Sequence, residues 1–369
     1  MEKNKTRSSN FELLRILAII LIVLFHIQLH GPQTRFNDGA FADPVFFKQL
    51  FLLDAGNTFG MIGNALFIMI SGYFLVGNLS IDLAKISKKL LLEVGFATVV
   101  LTLASTVIIS RSSDLSVRNL LGINIFNDEW WFPGYYILVI VIGKAFLNKF
   151  LARLEAKEYL GFLLALFAID QFHWSSYIFE GIANGIRTLM IGVFFYALGG
   201  YIKKYDPFGR VRLYVFFLVI AITYLLRYIS NYNITSMNIA KYLTSEEQYG
   251  FTQTIPQFAN HDIAVVIVTV CLYELFKRIH MPSSRIINYL GKSTLMIYFI
   301  HENDLFISYY KMDSWIGTLS EHVGQFVLKW FKWTFIGIGV GVLAYTLFVL
   351  LEIVCSKCKF LVVRNADSK

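Results

Sequence analysis

The sequence predicts an all-α integral membrane protein with about ten transmembrane helices in one bundle, and three observations support this fold class. First, 56% of the 369 residues are hydrophobic and 16% are charged, whereas soluble domains are roughly 45–50% apolar. Second, ten apolar stretches approach the length of about 20 residues that a helix needs to cross a hydrocarbon core of about 30 Å. Third, lysine and arginine are dense in every second loop. Such stretches form helices because backbone groups in lipid must be satisfied within the segment.

The ten predicted spans follow one another along nearly the whole chain. The first comes after a short basic segment, and because it is long and no small-residue cleavage site ends it, we expect a retained span rather than a signal peptide. The fifth and sixth spans are the shortest, and the fifth contains Asp170. In order, the predicted spans are residues 13–30, 57–76, 90–109, 132–150, 158–174, 186–202, 212–230, 261–279, 286–306 and 334–355.

The distribution of positive charge predicts the orientation. If the N-terminus is cytoplasmic, 22 of the 33 Lys and Arg residues fall on the cytoplasmic side and 8 on the outer side, as the positive-inside rule expects. The sequence therefore predicts a single membrane-embedded domain over residues 1–369, with short cytoplasmic tails at 1–12 and 356–369. The net charge is +8. Because most of the lysines and arginines line one membrane face, we expect no nucleic-acid partner.

Cysteine usage gives no sign of a disulfide framework or a metal site. The three cysteines, Cys271, Cys355 and Cys358, lie in or near predicted spans, so no network of disulfides is implied. Cys355 and Cys358 form one C-x-x-C pair without a second pair or a histidine pair nearby, and zinc sites need four such ligands. We therefore expect no bound metal.

The first span contains two ionisable residues on one helical face. Arg15 and His26 are separated by ten residues, none of them charged. Eleven steps along an α-helix return a side chain to within about 20° of its starting direction and advance it by about 16 Å. An arginine at a helix centre costs about 2.5–3.5 kcal/mol in lipid, so this face points into the bundle, towards a polar cavity. Glu12 lies one turn before Arg15 and is placed to pair with it.

A purely structural interpretation is also open for this pair of residues. In that interpretation Arg15 snorkels to the interface and His26 makes a structural hydrogen bond. The presence of both residues on one face favours a functional site, because ionisable residues inside a membrane usually mark one.

This arrangement of Glu12, Arg15 and His26 resembles the first helix of the acyltransferase-3 family. These are integral membrane enzymes that O-acylate cell-surface carbohydrates, usually with acetyl groups from cytoplasmic acetyl-CoA. Three later stretches resemble further parts of the family in the same order: residues 63–75 with a Ser-Gly step, the aromatic residues 130–136, and residues 293–301, which end in Tyr-Phe-Ile-His.

Two features depart from the family pattern. Some members carry an Arg-x-Arg pair after the second helix, where residues 75–80 of this chain contain no arginine and the nearest cations are lysines further on. Some members also carry a fused extracellular hydrolase-like domain, for which this sequence shows no counterpart. We therefore expect the membrane portion to complete the transfer.

The resemblance implies an O-acyltransferase of the cell membrane that moves an acyl group, with acetyl expected, from cytoplasmic acyl-CoA to a hydroxyl of a cell-surface polysaccharide or lipid-linked glycan. Its partners are then the lipid bilayer, acetyl-CoA as donor and a carbohydrate acceptor. His26 is the predicted general base, or alternatively an acyl relay, because imidazole exchanges protons near neutral pH. Arg15 is predicted to hold a CoA phosphate, which a guanidinium binds bidentately. Lys85, Lys88 and Lys89 either assist there or only form the positive flank.

Further candidates have two interpretations each. His301, beside two carboxylates, either assists proton transfer and orients the acceptor or caps the ninth span. Asn64 and Ser71 either donate to an oxyanion or bond their own helix. Trp131 and Tyr136 either stack on a sugar ring or belong to an interfacial aromatic belt.

Two other classes of function remain open from the sequence. A transporter or flippase for a glycan or lipid would also have about ten spans and buried charges, although the chain shows no inverted repeat and no matching pair of Gly/Pro-broken helices. A structural or assembly subunit is the third possibility. Dependence on acetyl-CoA separates the enzyme from both.

Overall fold

The fold is described by a computed structural model over residues 8–33, 50–78, 81–109, 131–171, 183–244 and 262–366. Within these ranges the chain is almost entirely helical and contains no strand. The predicted all-α membrane class is thereby confirmed. Trp130, together with the first and last few residues of the predicted tails, lies outside the described residues.

Fourteen α-helices are numbered here in chain order. Two π-helical turns interrupt the regular geometry, at Leu29–Gln33 after α1 and at Gly143–Leu147 between α5 and α6. The helices are α1 (Ser9–Gln28), α2 (Leu50–Gly56), α3 (Phe59–Leu75), α4 (Leu83–Ile109), α5 (Trp131–Ile142), α6 (Asn148–Arg153), α7 (Ala156–Gln171), α8 (Ala183–Tyr205), α9 (Leu213–Thr244), α10 (Ile263–Lys277), α11 (Arg285–His301), α12 (Asp304–Lys311), α13 (Trp315–Glu321) and α14 (Val323–Ala366).

Seven helical segments among the described residues are long and apolar enough to cross a membrane, so the predicted count of about ten is not confirmed. Three predicted spans form the shorter helices α7, α10 and α11, with 16, 15 and 17 residues. The predicted span 286–306 is broken because Asn303 caps a new helix by accepting from the backbone N–H of Leu305. The seven segments are Ser9–Gln33, Leu52–Leu75, Leu83–Val107, Trp131–Arg153, Gly185–Tyr205, Leu213–Ile234 and Val323–Lys357.

Helix α1 lies at the centre of the bundle. It packs against α3, α10, α11 and α14, and its apolar side chains, such as Ile22 and Val23, share a core with Phe299 of α11 and Phe326 of α14. By contrast, α4, α9 and α14 expose many large apolar side chains, as helices that face lipid do. The ionisable residues of the first span are therefore carried by a helix that is surrounded by protein.

Helices α3 and α8 approach each other closely enough to require glycine. A Cβ on Gly72 would lie 1.9 Å from the carbonyl oxygen of Tyr196, and a Cβ on Gly199 would lie 2.1 Å from the carbonyl oxygen of Met69. Small residues of this kind let helix backbones meet in membrane bundles, where van der Waals packing drives association. This contact fixes α3, which in turn packs along α1.

Candidate functional site

Three histidines and one glutamate meet where α1 and α11 end. We call His26, His30, His301 and Glu302 the histidine cluster. Nδ1 of His26 lies 2.6 Å from Oε2 of Glu302 and 2.8 Å from Nε2 of His301. Nε2 of His30 lies 3.2 Å from Oε1 of the same carboxylate. Glu302 and His301 are buried, whereas His26 and His30 are 14% and 19% exposed.

The end of α1 places the two histidines on the same side. His26 and His30 are four residues apart, and the helix continues past Gln28 as a π-helical turn that contains Pro32. Proline has no N–H to donate to the preceding turn, and π-helical turns of this kind are frequent at functional sites. The indole N–H of Trp330 on α14 donates to the carbonyl of Leu24 at 2.7 Å, which holds this end of α1 against the bundle.

Helix α11 places the other half of the cluster. His301 is its last residue, and Nδ1 of His301 lies 2.8 Å from the carbonyl oxygen of Ile297, one turn earlier. Glu302 follows at the helix end, immediately before the Asn303 cap of α12. Because caps fix backbone direction over one or two residues, the Glu302 carboxylate is directed at α1.

A cavity of about 310 Å³ runs along α1 and α11, and its lining includes none of the four residues of the histidine cluster. At one end Arg15, Lys89 and Lys292 line it, and we call these three residues the cation end. At the other end it reaches Ile22 and Tyr298, one helical turn below His26 and His301. The Tyr298 ring lies 5.8 Å from the His301 ring, measured between centroids. The full lining is Arg15, Ile19, Ile22, Phe67, Ser71, Ile86, Lys89, Leu90, Glu93, Phe132, Pro133, Tyr136, Gly291, Lys292, Thr294, Leu295 and Tyr298.

Two carboxylates accompany the cation end. Nη1 of Arg15 lies 2.6 Å from Oε1 of the buried Glu12, the pair that the sequence spacing suggested. Nζ of Lys89 lies 3.5 Å from Oε1 of the buried Glu93. A Cβ on Gly291 would lie 2.2 Å from Oε2 of Glu12, so the glycine allows α1 and α11 to approach at this level. Arg15 and Lys89 are therefore each paired with a buried carboxylate at this end of the cavity.

Several residues proposed from the sequence lie on the cavity. Ser71 and Tyr136 line it, with their hydroxyl oxygens 3.1 Å apart. The Ser71 hydroxyl also donates to the carbonyl of Phe67 in its own helix at 3.0 Å. Lys89 lines the cavity as well.

Four other residues that were proposed from the sequence do not line the cavity. Lys85 and Lys88 lie on the exposed surface of α4, one residue or one turn away from Lys89. Asn64 is half-buried in α3 and does not contribute to the lining. Trp131 is exposed and contacts the rings of Phe132 and Tyr135, so the structure places it where a belt residue would lie.

Three residues of the site, His30, Lys292 and Glu302, were not predicted from the sequence as site residues. His30 lies four residues after His26, and that spacing alone puts two side chains on one face of a helix. Lys292, to which the sequence assigned no role in the site, lines the cavity. No local spacing in the sequence indicates the contact between Glu302 and His26, because this contact depends on the packing of α11 against α1.

The histidine cluster also has the composition of a metal site. Ligand atoms of His26, His301 and Glu302 lie within 4.8 Å of one another. However, two ligands of a tetrahedral zinc ion with bonds of about 2.0–2.1 Å are about 3.3 Å apart. The separations of 2.6 and 2.8 Å at Nδ1 of His26 are instead those of hydrogen bonds. The cluster as arranged is a proton-sharing network, and the absence of metal stays a prediction.

Comparison with known proteins gives one match. A family model described as an acyltransferase domain matches residues 8–352, nearly the whole chain. No curated protein and no solved structure matches the chain significantly.

Proposed function

This chain belongs to the acyltransferase-3 family and is a membrane acyltransferase, and from that premise we propose that it moves an acyl group, acetyl in particular, from acyl-CoA to a hydroxyl of a cell-surface polysaccharide or lipid-linked glycan. We further propose that the donor enters from the cytoplasm, since the cation end belongs to the side on which the positive-inside rule places most lysines and arginines. The cell membrane is the proposed location.

The observation that carries this proposal is the cavity that extends along α1 and α11 from three cations to Ile22 and Tyr298, one helical turn before His26 and His301. Coenzyme A has phosphates at one end and a thioester at the tip of a long uncharged arm. Arg15, Lys89 and Lys292 offer donors for phosphates, and the apolar lining contributed by Ile19 and Leu295 suits the uncharged arm. The spacing of about 16 Å along α1 between Arg15 and His26 separates the two functions by a length that such an arm can bridge.

The proposed reaction uses His26 as general base. The acceptor oxygen attacks the carbonyl carbon of the thioester while its proton passes to His26. The carbon–sulfur bond then breaks, and the thiolate of CoA takes up the proton from the imidazolium. Ser71 and Tyr136 carry neutral hydroxyls on the cavity wall. Because α3 runs antiparallel to α1, with Gly60 against Phe25 and Tyr73 against Phe11, Ser71 lies towards the cation end, and we assign no oxyanion role to this pair.

The experiment measures transfer of label from radioactive acetyl-CoA into the glycan fraction of membranes that contain the protein. We compare wild type with His26→Gln, and with His322→Gln as a matched control, because His322 is exposed and lies outside the cluster. General-base assistance contributes about 10²–10⁴-fold in rate, so His26→Gln is expected to lose transfer by at least about 10²-fold while the control retains it.

The other outcomes have distinct meanings. Equal transfer by all three proteins would remove His26 from the mechanism and leave the activity. If no protein transferred label although acceptor glycan was present, the acetyl-CoA-dependent reaction would be wrong, and transport of a glycan or lipid would become the better hypothesis.

A further inference from the structure

We propose that Glu302 is a positioning residue: its carboxylate, together with Nε2 of His301, faces Nδ1 of His26 and keeps the hydrogen on that nitrogen, so that Nε2 of His26 is the nitrogen that removes the acceptor proton. This inference rests on the proposed function and assigns a role within the same site. Four contacts made by the residues of the histidine cluster support it.

The first step concerns the protonation of His301. Nδ1 of His301 faces the carbonyl oxygen of Ile297 at 2.8 Å. A carbonyl oxygen accepts hydrogen bonds and has no hydrogen to donate, so Nδ1 of His301 carries the proton. A neutral imidazole then has its lone pair on the other nitrogen, Nε2. His301 therefore presents an acceptor to its neighbour.

The second step concerns the tautomer of His26. Nδ1 of His26 has two neighbours, Nε2 of His301 at 2.8 Å and Oε2 of Glu302 at 2.6 Å. Both are acceptors, and a lone pair at Nδ1 would face two lone pairs at these distances. Nδ1 of His26 therefore carries the hydrogen, which leaves the lone pair of the neutral ring on Nε2.

The third step concerns charge. When Nε2 of His26 takes the proton of the acceptor, the ring becomes an imidazolium, and the Glu302 carboxylate lies in contact with it. Glu302 is 4% exposed and His301 is 1% exposed, so little water screens this attraction. A base that is oriented by a third group is the general pattern of base-activated acyl transfer. His301 directs its Nε2 lone pair at His26 and so supports the orientation of the His26 ring. His301 does not itself take up the proton of the acceptor.

Both oxygens of Glu302 face imidazoles, so a carboxylate is required at this position rather than any polar group. Oε1 of Glu302 is 3.2 Å from Nε2 of His30 while Oε2 contacts His26. Each oxygen of Glu302 thus faces an imidazole nitrogen of α1. A glutamine has one acceptor oxygen and one donor amide, so it satisfies one imidazole and opposes the other.

The test compares Glu302→Gln, Glu302→Asp and Asp304→Asn. Asp304 is a matched control, since it is an exposed carboxylate two residues away and outside the cluster. For transfer to the glycan hydroxyl, we expect Glu302→Gln to lower kcat by at least about 10²-fold, as misorientation of the base in an acyl-transfer triad does, with the KM for acyl-CoA within about threefold of wild type. Glu302→Asp should recover part of the loss, and Asp304→Asn should match wild type.

A second acceptor separates positioning of the base from a structural role. Hydroxylamine is a neutral nucleophile that attacks a thioester without a base, so the ratio of wild-type to Glu302→Gln rates should shrink to a few-fold when it replaces the glycan. Equal losses with both acceptors would overturn the proposal, because damage to the fold lowers both rates. An undiminished kcat for Glu302→Gln would overturn it as well. Failure of the wild-type protein to consume acyl-CoA would overturn the proposed function and this inference together.

Discussion

Removal of the Arg15 guanidinium should weaken binding of the donor without slowing the chemical step. Arg15 lines the cation end, 24% exposed, with one nitrogen 2.6 Å from Glu12. A hydrogen bond between charged groups contributes about 1.5–3 kcal/mol, and 1.4 kcal/mol corresponds to a factor of ten. Arg15→Gln is therefore expected to raise the KM for acetyl-CoA by about 10- to 150-fold. Because the phosphates are bound equally before and during the reaction, kcat should stay unchanged.

The assay uses two donors. Initial rates are measured against acetyl-CoA and against acetyl-pantetheine, which has the same thioester and no phosphate. Arg15→Gln should raise KM for acetyl-CoA alone, and the control Arg210→Gln, an exposed arginine away from the cavity, should change neither. The double variant Glu12→Gln/Arg15→Gln removes the pair together, so that no buried carboxylate is left without its partner.

One result would refute this reasoning. If Arg15→Gln raised the KM for acetyl-pantetheine as much as that for acetyl-CoA, the guanidinium would not act on a phosphate. Arg15 would then serve to keep Glu12 and the α1–α11 contact in place, and the proposed direction of the donor in the cavity would lose its support.

Two further predictions test the packing and the metal question. Gly199→Val places branched atoms at a position where even a Cβ would lie 2.1 Å from the Met69 carbonyl oxygen. Because overpacking costs about 1–3 kcal/mol or more, the thermal unfolding midpoint of this variant in detergent should fall. The control Gly339→Val, at a position with open space around it, should leave the midpoint nearly unchanged. Treatment with EDTA should leave the rate of acyl transfer unchanged, because Nδ1 of His26 is engaged at hydrogen-bond distances; loss of rate on chelation, with recovery on adding Zn²⁺, would show that the cluster works as a metal site.

The parts of the site that lie on one helix could be predicted from the sequence, because helix geometry converts residue spacing directly into direction and distance. The Arg15–Glu12 pair and the placement of Arg15 and His26 along one cavity-facing helix belong to this class. The meeting of His26 with His301 does not, since 275 residues separate them in the sequence. Such contacts depend on which faces of α1 and α11 pack together.

The predicted count of about ten membrane spans is not confirmed among the described residues for a related reason. Helix α11 reads as a span because most of its side chains are apolar or small, yet its residues from Ser293 to His301 are mostly buried inside the protein. An apolar helix surrounded by protein and an apolar helix surrounded by lipid have similar composition. The length of α11, 17 residues, is at the lower limit for a membrane span, and the helix ends at His301, where the Glu302–Asn303 step turns the chain into α12.

The site consists of two parallel rows of side chains, each with a cation at one end and an imidazole at the other, on the neighbouring helices α1 and α11. On α1 the cation Arg15 precedes the imidazole of His26 by eleven residues, and on α11 the cation Lys292 precedes the imidazole of His301 by nine. Since both helices rise by about 1.5 Å per residue, and both cations line the same end of the cavity, the two rows run in the same direction and end at the same level. In the proposed function, a donor bound by its phosphates at the cation end would have its reactive end brought towards His26 by the length of the helices themselves. Specificity for a donor of this shape then follows from the fixed distance between the cations and the base, and the small residue Gly291 is needed where the two rows approach each other beside Glu12.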